Sequence, residues 1–205
     1  MKKHLLNISI FLFLFSGNAN AQFFTSINDT IGCPSRILRD KSNNLIYSAG
    51  IALIKASPDN QNILWGKAMD SVPASAITRV DILGIDSNDN IISLTYVFGS
   101  SYNYYILRKT DQNGNLIWSK KLCFSQGSIS LGSSFLTKDN SLYLGGGNCW
   151  AMNFIIKIDP LGNVVWAKTY YNIFPITSGY ISSIIEDLSG NLIVVSNSIY
   201  TYTTP

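Results

Sequence analysis

Repeated β-hairpins, and with them an all-β fold, are what the sequence predicts, and three observations predict them. The composition is poor in helix formers: there is a single glutamate (Glu186) among 205 residues, only 13% of the chain is charged, and Ile, Tyr, Ser, Asn and Thr dominate. A hexapeptide with Asn three before Trp and Lys two after it occurs at Asn62–Lys67, Asn115–Lys120 and Asn163–Lys168, with Trp-to-Trp intervals of 53 and 48. Turn sequences rich in Asp, Asn, Gly and Pro recur between short apolar runs, as tight hairpin turns require.

The first 21 residues read as an address. Lys2 and Lys3 precede an apolar run from Leu5 to Phe15, and Ala19-Asn20-Ala21 is a small-x-small cleavage site. That is a secretory signal, too short to span a bilayer. Its removal takes two lysines, so the net charge falls from +3 to 13 − 12 = +1. It also removes His4, the one histidine in the chain, and with it His-based triads and His-ligated zinc. The expected location is outside the cytoplasm: extracellular, cell surface or periplasm. Arg108-Lys109 and Lys120-Lys121 are isolated basic pairs, and no basic stripe supports nucleic-acid binding.

Two hairpins alternate along the remainder. One carries the hexapeptide after the turns Ser57–Asn62, Asp111–Asn115 and Asp159–Asn163, each preceded by an apolar run ending in Lys (Lys55, Lys109, Lys157). The other has turns at Asp40–Asn44, Asp86–Asn90, Thr137–Ser141 and Asp187–Asn191. Two hairpins per period of about fifty residues make four strands per repeat, A to D in chain order. Ile63-Leu64-Trp65 and Val164-Val165-Trp166 are apolar without alternation, which predicts sheets covered on both faces. Repeated four-stranded sheets covered on both faces are the arithmetic of a β-propeller.

Lys-x-Asp-x-x-Gly-Asn-x-x-Trp-x-Lys, alternating with Asp-x-x-Gly-Asn, resembles the secreted bacterial β-propeller repeat proteins over about 35–198. Similar hairpins occur in quinoprotein-type repeats. The resemblance implies architecture. Quinoprotein dehydrogenases need eight blades, a calcium ion and catalytic acids, and the chain is too short for eight, so that activity is not carried over.

About four blades are expected, near 35–69, 78–122, 133–170 and 181–205. Either residues 22–28 close a four-bladed ring as the missing outer strand, or the chain is the N-terminal part of a larger propeller. Trp65, Trp118 and Trp166 recur in register and are expected to pack between blades as buried aromatics. Oxygens at Asp86, Asn88, Asp89 and Asn90 alternate as in calcium loops, but the turn glycine and distal glutamate of such a loop do not follow. Turn chemistry is the expected role, and no metal or cofactor is expected.

The D–A and B–C connections of such blades share one rim. Three cysteines fall in them, Cys33, Cys123 and Cys149, and Cys123–Cys149 is the pair favoured for a disulfide in an exported chain. The B–C connections also carry Tyr102, Tyr104, Trp150 and Tyr200 beside asparagines and serines. Aromatic faces next to amides make a candidate platform for sugars, against the alternative that these residues are ordinary strand formers.

The expected function is a secreted, non-enzymatic binding or display module whose ligand is a glycan or a protein. One alternative is an enzyme acting on extracellular polysaccharide, a lyase or a hydrolase, for which Asp70 and Asp81 are the acids to screen because the others sit mostly in turns. The other is an incomplete piece of a larger propeller with no activity of its own.

Overall fold

The computed structural model describes residues 36–68, 77–99, 102–123, 129–148, 152–171 and 176–200. All belong to the second of the two units into which the chain divides, Ile31–Pro205. The expected signal segment at 1–21 and the expected closing strand at 22–28 lie outside the described residues.

Those residues are all strand and turn. β1 (Ile37–Arg39), β2 (Leu45–Ala49), β3 (Ala52–Ala56) and β4 (Ile63–Ala68) form the first sheet. β5 (Ile77–Ile85), β6 (Ile91–Gly99), β7 (Tyr102–Thr110) and β8 (Leu116–Leu122) form the second. β9 (Ile129–Leu136), β10 (Leu142–Asn148), β11 (Met152–Ile158) and β12 (Val164–Tyr171) form the third. β13 (Ile176–Glu186) and β14 (Leu192–Tyr200) form a two-stranded fourth. Every pairing is antiparallel between chain neighbours.

The turns explain why the strands fold back where they do. In each, the fourth residue has a left-handed backbone: Asn43, Asn60, Asp89, Gly114, Asn140, Gly162 and Gly190, with φ between 59° and 84°. Only glycine, asparagine and aspartate adopt that region readily. The leading aspartate fixes the loop. Asp111 Oδ1 accepts from the backbone N–H of Asn113 and of Asn115, and Oδ2 accepts from the Asn115 side chain at 2.9 Å. Asp86, Asp159 and Asp187 do the same in their turns.

Sheets that follow one another in the chain pack face to face, with three cores between them. Ile46, Leu53, Val80, Ile82 and Ile91 fill the first interface. Leu94, Tyr96, Tyr105, Leu107, Leu144 and Phe154 lead the larger second. Tyr143, Ile155, Ile181 and Ile184 fill the third. Each fully buried Leu or Ile contributes about 1.5–3 kcal/mol by leaving water. In the third interface the backbones nearly touch: a Cβ on Gly147 would lie 2.0 Å from the Gly179 carbonyl oxygen, so only glycine fits there.

One expectation needs correction. Ile63-Leu64 and Val164-Val165 are not covered on both faces: they are 68%, 50%, 51% and 56% exposed. They lie on β4 and β12, the last strands of their sheets, whereas packing between sheets runs through the first three strands. The cores therefore sit on the first three strands of the sheets. Lys67, Lys120 and Lys168 on these edge strands place charge where an open edge invites pairing. The fourth sheet has two described strands and the described residues form no closed ring, while residues 22–28, expected as the closing strand, lie outside them.

Candidate functional site

The expected aromatic rim is represented by one described side chain. Tyr104 is half-buried on β7, with Lys121 Nζ 4.0 Å from its ring centre. Tyr102 opens β7 and Tyr200 ends β14, but their side chains, like all of Trp150, lie outside the described residues. Cys123 is a free, exposed thiol at the end of β8. Cys149 and Cys33 lie outside the described residues.

The three tryptophans have a defined task, although they are half-buried rather than buried. Trp65 on β4 donates from Nε1 to the Gln112 carbonyl at 3.0 Å, and Trp118 on β8 donates to the Pro160 carbonyl at 3.1 Å. Each acceptor is the second residue of the C–D turn in the next sheet. The fourth residue of those turns is glycine, and a Cβ on Gly114 or Gly162 would meet the indole at 3.2 or 3.0 Å. Lys120 Nζ then donates to Asn163 Oδ1 at 3.2 Å. The hexapeptide thus clasps the following repeat. Trp166 instead packs against Tyr143 of its own sheet, ring centres 5.8 Å apart, with Lys168 Nζ over its face at 5.4 Å.

A second set of contacts ties the A–B turns. Lys55 Nζ bonds Asp40 Oδ2 at 2.8 Å, and Lys109 Nζ bonds Asp86 Oδ2 at 2.7 Å; both pairs are nearly dry. Burial works to raise the two aspartates. Hydrogen bonds from the lysine and from the turn asparagine overcome it and hold both below the usual carboxylate range. Asp86 therefore has no lone pair to spare for calcium. Between repeats, Lys41 donates to the Ser87 carbonyl, and the Asn140 side chain exchanges two hydrogen bonds with Ser87 at 3.0 Å.

What these ties create is a groove along the first strands, where β1 lies against β5 and β5 against β9. A cavity of about 400 Å³ opens there, at the A–B turn end. Its walls include Leu38, Leu83, Ile85 and Leu136, and its rim carries Arg36, Arg39 and Lys138. A second, of about 110 Å³, shares Arg36 and Leu83 and reaches Asp81, Tyr96 and Ser134. Arg36 is anchored by an NH1 donation to the Leu83 carbonyl at 2.9 Å. Of the two acids singled out for screening, Asp70 lies outside the described residues, and Asp81 sits in the middle of β5, opposite Leu94. Its Oδ2 accepts from Arg79 at 2.8 Å, and its Oδ1 is buried without a hydrogen-bond partner among the described residues. Burial and the Asp81 charge together push the Tyr96 hydroxyl up.

Sequence reasoning missed Arg36, Arg39 and Lys138. They are separated by about a hundred residues, and only the side-by-side first strands gather them. Among the described residues no group of three or more His, Cys, Asp or Glu could hold a metal ion, and no helix is long and apolar enough to cross a membrane.

No family model matches the chain, and no curated protein matches it. Among solved structures, it is similar to a protein of unknown function from Bacteroides caccae, with a TM-score of 0.51 and 15% identity over 81% of this chain. That match covers 53% of the other protein, so the chain spans about half the length of this structural neighbour. At such identity the likeness concerns the fold alone.

Proposed function

We propose that the chain is an exported, propeller-type repeat module that binds a ligand in the groove of its first strands and does not turn it over. The observation that carries this reading is the 400 Å³ cavity where β1, β5 and β9 converge. It is of a size that holds small ligands, with an apolar wall and a few convergent polar groups. The propeller arrangement is supported by three consecutive four-stranded sheets packed face to face with their first strands in line.

A binding role is further supported by how the carboxylates are used. Asp40, Asp86, Asp111, Asp159 and Asp187 all bond within their own turns. Glycoside hydrolysis uses two carboxyls roughly 5–10 Å apart, and the groove offers Asp81. The test is a screen of the purified protein against a panel of polysaccharides, scoring binding and bond cleavage on the same samples. Binding with intact ligand is the expected result. Cleavage that Asp81→Asn abolishes would instead establish an enzyme.

One observation favours a second reading, in which these sheets are a section of a larger propeller. The structural neighbour is matched over only 53% of its length.

A further inference from the structure

We infer that the groove selects a hydroxylated carboxylate, specifically the uronate units of an acidic polysaccharide. This rests on the binding role proposed above and names its ligand class. Two features at opposite ends of the groove ask for different groups on one ligand. At the larger cavity, Arg36, Arg39 and Lys138 present positive charge, and no carboxylate is among the lining residues. Lys138 is exposed and has no ion-pair or hydrogen-bond partner among the described residues. Arg36 and Arg39 each give one NH1 donation to a backbone carbonyl and make no other hydrogen bond or ion pair among the described residues. A planar guanidinium matches a carboxylate in two-point geometry, which a neutral hydroxyl cannot reproduce.

At the smaller cavity the demand is reversed. Asp81 Oδ1 is a buried acceptor with no hydrogen-bond partner among the described residues, beside the Tyr96 hydroxyl that lines the same cavity. Leaving a buried acceptor unmade is unfavourable, so a ligand that brings an O–H there gains what water supplies less well. Arg36 and Leu83 wall both cavities, so one ligand can reach from one to the other. Leu38, Leu83 and Leu136 supply apolar wall for the apolar face of a sugar ring. An acidic sugar carries all three features: a carboxylate, ring hydroxyls and an apolar face. A simple inorganic anion lacks the last two, and a neutral sugar lacks the first.

The experiment is calorimetric titration of the purified protein with tetragalacturonate and with its fully methyl-esterified form, which keeps the hydroxyls and loses the charge. The acid form is expected to bind at least about tenfold more tightly, a difference of one decade in Kd. Raising salt should erode that preference. Arg36→Gln and Lys138→Gln should each remove most of it, with unchanged thermal midpoints as the check on folding. Asp81→Asn should weaken both forms alike. Should Arg36→Gln fold poorly, Lys138→Gln, at an exposed turn position, decides alone. Equal affinity for the two forms, or a preference untouched in Lys138→Gln, would overturn the uronate assignment and leave the binding role standing. Absence of binding to both forms overturns the assignment as well, and the polysaccharide screen then judges the binding role separately.

Discussion

Trp118 of the second sheet donates its indole N–H to the Pro160 carbonyl of the third at 3.1 Å, and its ring occupies the space a side chain on Gly162 would need. The same arrangement joins Trp65 to Gln112 and Gly114 one repeat earlier. A contact repeated at the same register is the mechanical link of the fold, and its strength can be measured. Trp118→Phe removes the hydrogen bond and keeps most of the ring, so a loss of about 1 kcal/mol is expected. Trp118→Ala also removes the half-buried ring and should cost about 2–3 kcal/mol, below the 3–5 typical of fully buried aromatics. Urea denaturation of the two variants checks the order. Equal stability of Trp118→Ala and the parent would remove the link from the account.

The turn glycines supply a sharper comparison. Gly162 and Gly190 occupy the same place in Asp-x-x-Gly-Asn turns, with φ of 82° and 84°. Asparagine tolerates that backbone, as Asn60 does at 59° in the first sheet. The two glycines differ only in surroundings: a Cβ on Gly162 meets the Trp118 ring at 3.0 Å, whereas the nearest atom to one on Gly190 is Glu186 Oε1 at 3.9 Å. Gly162→Asn should therefore cost about 1–3 kcal/mol through forced overpacking, and Gly190→Asn less than about 0.5 kcal/mol. Thermal midpoints of the pair would show it, and matching losses would mean that backbone conformation alone selects glycine.

Lys109 reaches Asp86 with both groups almost dry. Deleting one partner of a buried pair leaves an uncompensated charge, so Lys109→Met should destabilise by about 3–5 kcal/mol. In the third sheet Thr137 stands where the aspartate would be, and the equivalent Lys157 lies over the Tyr143 ring at 5.4 Å. Lys157→Met should cost no more than about 1 kcal/mol. The reverse order in chemical denaturation would contradict the strut assigned to Lys109.

Acid should loosen the molecule in a narrow window. Burial opposes ionisation of Asp40 and Asp86, but hydrogen bonds from Lys55, Lys109 and the turn asparagines hold both below the ordinary 3.8. In Asp111 the Asn115 backbone and side chain lower it directly. A folded-state value below the unfolded one stabilises the ionised fold. That contribution is complete above the ordinary value and is lost as pH falls through the depressed folded value. Calorimetry should find a flat thermal midpoint between about pH 5 and 7 and a steep fall below about pH 4. A midpoint unchanged far below that range would show that the turn carboxylates do not support the fold.

Much of this architecture is legible along the chain because hairpins are local. Asp111, Gly114 and Asn115 lie within five residues and settle their turn by themselves, so strand order within each sheet follows directly. Burial was less legible. Ile63 and Leu64 look like core residues but lie on an edge strand, and edge or centre depends on how sheets splay, which no local pattern records. The tryptophans repeat visibly at Trp65, Trp118 and Trp166, yet their partner is a backbone carbonyl some forty-odd residues on, in a turn of varied sequence. The groove was the least legible part. Arg36, Asp81 and Lys138 share no motif and meet only because three first strands run side by side. The Trp150 and Tyr200 side chains of the expected rim lie outside the described residues, and Tyr104, the rim residue whose side chain is described, is not among the residues lining the groove.

The claim beneath all of this is that the first sheet is held to the second, and the second to the third, by a tryptophan seated on a turn glycine. Proton nuclear Overhauser spectroscopy reads that contact directly. Cross-peaks from the Trp118 ring to the Gly162 α-protons, and from the Trp65 ring to those of Gly114, are the result expected. Indole rings that instead show contacts only within their own hairpins would contradict the stacking of the sheets.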